Sequence, residues 1–119
     1  MISPVEQLKG AADPTRLRIL ALLVRWGEAL CVCQIQGALG ESQTKVSRHL
    51  KELRRTGWVR EERHGRWVHY ALLPSESPFH HQLIGAIDKL PSDFLGLTLP
   101  LEEIESLKRE YPCPEVSDE

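Results

Sequence analysis

The sequence predicts a mainly α-helical fold with one β-hairpin, a winged helix-turn-helix. Three observations lead there. Apolar residues recur at helical spacing from Val5 to Leu90. A short helical segment is followed at once by a longer one with a basic outer stripe. Two aromatic, β-branched segments then flank Gly65.

Pro4 suits a first helical turn, and Val5, Leu8 and Ala12 follow at helical spacing, so a first helix runs to about Ala12. Asp13 and Pro14 read as N-cap and first residue of a second helix through Leu17, Leu20, Leu23 and Val24. Ile19 and Leu22 on its other side predict burial on most faces. Trp26-Gly27-Glu28 ends it. A third, short helix begins near Cys31–Cys33 and runs through Ile35 and Leu39 to Gly40, a good residue for the left-handed position after a helix.

Ser42 is the expected N-cap of a longer helix ending at Thr56-Gly57. Val46, Leu50 and Leu53 point into the core, while Thr44, Arg48, Lys51 and Arg55 recur on the opposite side. Trp58 to Glu62 and Trp67 to Leu72 form the hairpin, with Gly65 supplying the positive φ of a tight turn. Phe79, Leu83, Ile84, Ile87 and Leu90 mark a fifth helix stopped by Pro91. Residues 1–91 thus form the winged helix-turn-helix domain. Residues 92–119 form a C-terminal extension with a short amphipathic helix (Leu101, Ile104, Leu107, Tyr111) and an acidic, flexible tail.

At 119 residues the chain can bury one core, and 41% hydrophobic with 27% charged residues is ordinary for a soluble domain. No apolar run approaches the roughly 18 residues of a membrane span, and the N-terminus lacks a signal peptide's pattern. A cytoplasmic location follows, where three cysteines are reactive or metal-binding rather than disulfide-bonded. No nucleophile–base–orienter set, phosphate loop or carboxylate pair stands out, which argues against an enzyme.

The net charge of −2 conceals a division along the chain. From Glu41 to Tyr70 eight Lys and Arg face four Glu, whereas from Ser92 onward eight acids face only Lys108 and Arg109. A basic centre precedes an acidic tail, and local sign decides what docks where.

A recognition helix presents short polar residues at the end that enters the major groove. Ser42, Gln43, Thr44 and Lys45 occupy that end here. Gln43 can pair bidentately with adenine and Arg48 with guanine, while Thr44 and Ser47 suit bases or phosphates. Lys51 continues the stripe. Arg63, His64 and Arg66 at the hairpin tip can reach the phosphate backbone or minor groove. His49 falls on the apolar side of the helix and reads as a packing or hydrogen-bonding residue. Trp58, Trp67 and Tyr70 read as core.

The run Ala29-Leu30-Cys31-Val32-Cys33, followed by Ser42-Gln43-Thr44-Lys45-Val46-Ser47-Arg48-His49-Leu50 and Gly65-Arg66-Trp67-Val68-His69-Tyr70, resembles the ArsR/SmtB family of winged-helix repressors in its arsenic-responsive branch. The similarity covers about residues 5 to 90. It implies a homodimer, joined through the first and fifth helices, that represses a resistance operon. It also implies release from operator DNA when As(III) or Sb(III) binds. The branch motif places a third cysteine where this chain has Gln36, a Glu at Ala29 and an Asp at Gln34, so the motif alone does not supply three sulfurs.

Trivalent arsenic and antimony are soft and favour thiolates, three in a pyramid. Cys31 and Cys33 are the expected ligands, their thiolates favoured by a helix N-terminus. On a regular helix residues i and i+2 lie about 200° apart, so sharing one ion requires the first turn to unwind, which would displace the recognition helix. The thiols are expected off the groove-facing surface. Cys113 is the remaining candidate ligand, reaching its own subunit's pair or its partner's; the alternative is a tail cysteine with no role. The resemblance implies no structural zinc, since His80, His81 and Asp88 lack the family's spacing. A competing function on the same fold is a thiol-based redox or persulfide sensor using Cys31, Cys33 or Cys113.

Overall fold

Two prolines, each behind a polar cap, start the first two helices. The computed structural model, which describes residues 2–98, places α1 at Pro4–Ala11 and α2 at Pro14–Trp26. Ser3 Oγ accepts the Glu6 N–H, and the Asp13 carboxylate accepts those of Thr15 and Arg16 at 2.9 and 3.1 Å. These caps satisfy N–H groups that a helix start leaves open. Gly27, at φ 81°, ends α2 with its N–H on Leu23 O. Ile19 through Leu23 are all buried, as expected for a helix apolar on most faces.

A short strand, β1 (Leu30–Cys31), leads directly into α3 (Val32–Leu39); α4 (Gln43–Arg55) follows after the turn Gly40-Glu41-Ser42. Ser42 Oγ caps α4 by accepting the Lys45 N–H at 3.2 Å. Strands β2 (Val59–His64) and β3 (Trp67–Leu72) form the hairpin, closed by a two-residue loop with Gly65 at φ 66° in first position. That is the residue a type II′ turn requires there. β1 pairs with the other edge of β3, Leu30 opposite Tyr70 and Cys31 opposite His69, giving a three-stranded antiparallel sheet in the order β1-β3-β2. The hairpin pattern alone did not foretell β1, because two residues are too few to show alternation.

α5 (Pro78–Asp88) lies against α2, and α6 (Ser92–Leu95) returns to the core. Leu95 is only 1% exposed, so the start of the extension packs on the winged domain. Thr98 then donates from its N–H to Ala38 O and from its hydroxyl to Gly37 O, each at 2.8 Å, satisfying carbonyls at the end of α3. The amphipathic segment Leu101 to Tyr111, the acidic tail and Cys113 lie outside the described residues. At the other end of the domain, Gly10 brings α1 onto the end of α4. A Cβ there would fall 2.1 Å from Thr56 Oγ1. Trp58, fully buried, donates its Nε1–H to Gln7 O at 2.8 Å and ties α1 down from the hairpin side.

Candidate metalloid and nucleic-acid site

The sequence reading set both cysteines in a helix, on nearly opposite sides. The structure corrects this. Cys31 is the N-cap of α3, extended at φ −81° and ψ 163°, and only Cys33 lies within the helix. That change of conformation brings the two sulfurs to 2.6 Å without unwinding any turn. Gln34, buried, reaches back to accept the Cys31 N–H on Oε1 at 3.0 Å, the reciprocal half of a capping box. The residue that replaces the family's Asp therefore holds the backbone of Cys31.

Cys31 is disulfide-bonded and buried at 1% exposure, which corrects the expectation that none of the cysteines is, while Cys33 is half-buried, so Cys33 is the thiol that solvent reaches. Burial pushes the Cys33 thiol up from its ordinary range, outweighing the N–H groups of Gln34 and Cys33 that favour the thiolate. The expected gain from the helix N-terminus is overridden by desolvation.

Both cysteines line a cleft of about 600 Å³ between α3, α4 and the hairpin. Gln36 lines it as well, one turn beyond Cys33, so the family's third-cysteine position faces the same space. On its second wall stand Gln43, Ser47 and Lys51 of α4, and on its third Arg63, Arg66 and Trp67 of the wing. The cysteines thus share a cleft with half of the residues expected to read DNA. Trp67, expected in the core, is half-buried on this wall, whereas Trp58 and Tyr70 are buried as anticipated.

Thr44 and Arg48 are exposed on α4 beside the cleft, and Ser42 is exposed at its cap. His64 ends β2 at the hairpin tip. Lys45 is held by Glu41 at 3.2 Å, and Glu41 is also paired with Arg18 at the same distance. The hydrogen bond from Lys45, with the charges of Lys45 and Arg18, holds the Glu41 carboxyl below its usual range. Arg55, the last member of the outer stripe, is engaged by Glu52 and Glu6 and links α4 to α1. His49 is buried, its Nδ1 accepting from Arg16 Nη1 at 3.1 Å, which fixes it as a packing residue.

The sequence reading missed Arg18. Its guanidinium donates to Leu39 O, Leu95 O and Gly96 O and pairs with Glu41, gathering α2, the end of α3, the turn and the C-terminal segment. The available signal was a cation inside a helix otherwise apolar on most faces, because buried charge demands partners.

The family model for bacterial regulatory proteins of the arsR family matches residues 13–61. The arsenic resistance transcriptional regulator ArsR2 of Pseudomonas putida is 42% identical over 96 residues, spanning 81% of this chain and 83% of that protein. The chain belongs to the arsR family. The arsenical resistance operon repressor of Escherichia coli is similar to this arsR-family protein at 49% identity over 71 residues, 60% of either chain. Among solved structures, the AntR antimony-specific transcriptional repressor superposes with a TM-score of 0.58 at 32% identity, covering 69% of this chain and 70% of its own. HlyU from Vibrio cholerae gives 0.56 at 29% identity, over 90% of this chain and 89% of its own. This arsR-family protein is a DNA-binding transcription regulator and not an enzyme, and its fold is the winged helix-turn-helix. No helix among the described residues is long and apolar enough to cross a membrane.

Proposed function

We propose that this protein is a cytoplasmic homodimeric repressor of a metalloid-resistance operon, released from its operator when trivalent arsenic or antimony binds Cys31, Cys33 and Cys113. The observation that carries this reading is the position of the convergent cysteine pair, which the reduced protein would offer as thiols. Cys31 belongs to a strand paired with the wing, and Cys33 to the helix that packs on the recognition helix. One ion bridging them acts on both DNA-contacting parts. The names of the relatives favour a metalloid over a redox signal.

Arsenite enters as a neutral hydroxide, and each As–O bond exchanged for As–S releases water. A protonated thiol supplies the proton, so the raised Cys33 pKa does not oppose the reaction. Thr98 is anchored at the far end of α3, and Cys113 follows it by fifteen positions. An extended chain of that length spans roughly 50 Å, ample to return along α3 within one subunit.

DNA would be held by Ser42, Gln43, Thr44, Lys45, Ser47, Arg48 and Lys51 in the major groove, with Arg63, His64 and Arg66 on the backbone. The partner copy would meet α1 and α5, where Val5, Leu8 and Phe79 are exposed beside an apolar groove lined by Leu8, Ala12, Leu83, Ala86 and Leu90.

The test is anaerobic titration of the reduced protein on operator DNA with arsenite. Release in the wild type, lost in Cys31→Ser and Cys33→Ser that still bind DNA, is the expected outcome. Release by oxidant but not by arsenite would sink the reading.

A further inference from the structure

The cations of the basic centre fall into two groups. Lys45, Arg54, Arg55 and Arg60 are paired with Glu41, Glu61, Glu52 and Glu62. Arg48, Lys51, Arg63 and Arg66 make no ion pair among the described residues, and all four are exposed on α4 and the wing. Glu61, the acid that lines the cleft with the last three, is occupied by the Tyr70 hydroxyl at 3.0 Å and by Arg54 at 3.3 Å. This face therefore carries uncompensated positive charge. The complementary charge stands at the other end of the chain, where residues 99–119 set seven acids against Lys108 and Arg109.

Where that segment begins decides what it meets. Thr98 is held on the end of α3 by its hydrogen bonds to Gly37 O and Ala38 O, and its Cγ2 lies 3.3 Å from where a Cβ on Gly40 would stand. Gln43, on the wall of the cleft, is three residues past Gly40, no more than about 11 Å along the chain. Glu102, Glu103 and Glu105 follow Thr98 by four to seven residues, a span of roughly 13–25 Å when extended. The first acids thus reach the start of α4 and the cleft directly. A partner tethered this closely acts at an effective concentration on the order of millimolar, so weak ion pairs suffice.

We infer that the acidic segment after Thr98 lies on its own subunit's Arg48, Lys51, Arg63 and Arg66 in place of phosphate, and that DNA must displace it. The inference rests on the reading of these cations as part of the DNA-binding surface. Each carboxylate pairs with a cation that would otherwise meet a backbone phosphate. Segment and DNA therefore compete for the same charges through the same screened force.

The test compares the full-length protein with a full-length variant in which all seven acids after Thr98 are replaced by their amides. Without DNA, a zero-length carbodiimide should join Lys51 to carboxylates of that segment, read by mass spectrometry in the monomer band. On operator DNA in about 50 mM salt the amide variant should bind about five-fold more tightly, the scale of exposed ion pairs. That ratio should shrink as salt rises, and fall towards one when both proteins carry Lys51→Gln/Arg63→Gln/Arg66→Gln. Equal DNA affinity with either segment overturns the inference. A ratio that persists in the triple variant, with no Lys51 cross-link, is long-range repulsion of DNA and overturns it too. A triple variant that binds DNA as tightly as the unsubstituted protein removes these cations from the DNA surface, and the inference falls with that reading.

Discussion

Arg18 and Glu41 form an ion pair of 3.2 Å that bridges the buried scaffold helix and the turn of the helix-turn-helix. From Glu41 the same carboxylate reaches Lys45 in the first turn of α4, so a residue of the core is two contacts from the surface proposed to read DNA.

Replacing Arg18 by Gln should cost about 2–3 kcal/mol of stability, because three carbonyls and a carboxylate lose a charged donor in a largely buried setting. Arg18→Lys should recover only part, since one ammonium cannot reproduce the planar fork. Urea denaturation at unchanged m-value measures both. A loss within 0.5 kcal/mol of zero, taken as roughly the noise of a surface substitution, would contradict the assigned role.

Gln36 faces the thiol cleft one turn after Cys33, so Gln36→Cys should place a third sulfur beside the pair. In a Cys113→Ser background this change should raise the sulfur count at arsenic from two to three by absorption spectroscopy, and lower the arsenite concentration needed for release. A count that stays at two would show that Gln36 does not point where an ion sits.

Acid should destabilise the fold through His80. Its ring is 1% exposed and stands edge-on to Trp58 at 4.9 Å, and burial holds its pKa below 6.5 although Glu76 works the other way. A depressed folded-state value means that His80's contribution is fully present above the unfolded pKa of about 6.5 and is lost as pH falls through the folded one. His49 is shifted the same way by burial and then by Arg16, opposed by Asp13. Denaturation midpoints measured from pH 8 down to 5 should decline below about 6.5, and His80→Phe should flatten that decline.

Operator binding should weaken steeply with salt, since the contacts expected from the basic centre are phosphate contacts. Arg48, exposed on α4, should lose roughly 1–3 kcal/mol on replacement by Ala and relax one base preference. Salt-independent affinity, or unchanged affinity with Gln43 and Arg48 both replaced, would remove α4 from the groove.

The helices were legible because their signals are local. Asp13-Pro14, Ser42, Gly27 and Gly40 act within one turn of themselves, and each cap stands where the residues require it. The thiol geometry was not legible. It depends on Cys31 being drawn into an extended conformation by pairing opposite His69, a residue far along the chain, and periodicity carries no trace of that partner. The cleft escaped for the same reason, because Cys33, Lys51 and Arg66 meet only once the wing folds over α4. Glu41, Glu52, Glu61 and Glu62 lowered the apparent charge of the centre. Their pairings reveal which cations are spoken for and which are available.

Gly10 lets the backbone of α1 rest almost directly on Thr56 at the end of α4, with no side chain of its own between them. For a dimer built on α1 and α5, this contact turns the protein into a ruler. The subunit seam and the reading helix are joined through a stiff, nearly incompressible link, so the distance between the two reading heads has little room to adjust. Half-sites one helical turn apart would be measured as well as read. An operator lengthened by a single base pair, which rotates one half-site by roughly 35°, would then present the correct letters at an unreachable angle.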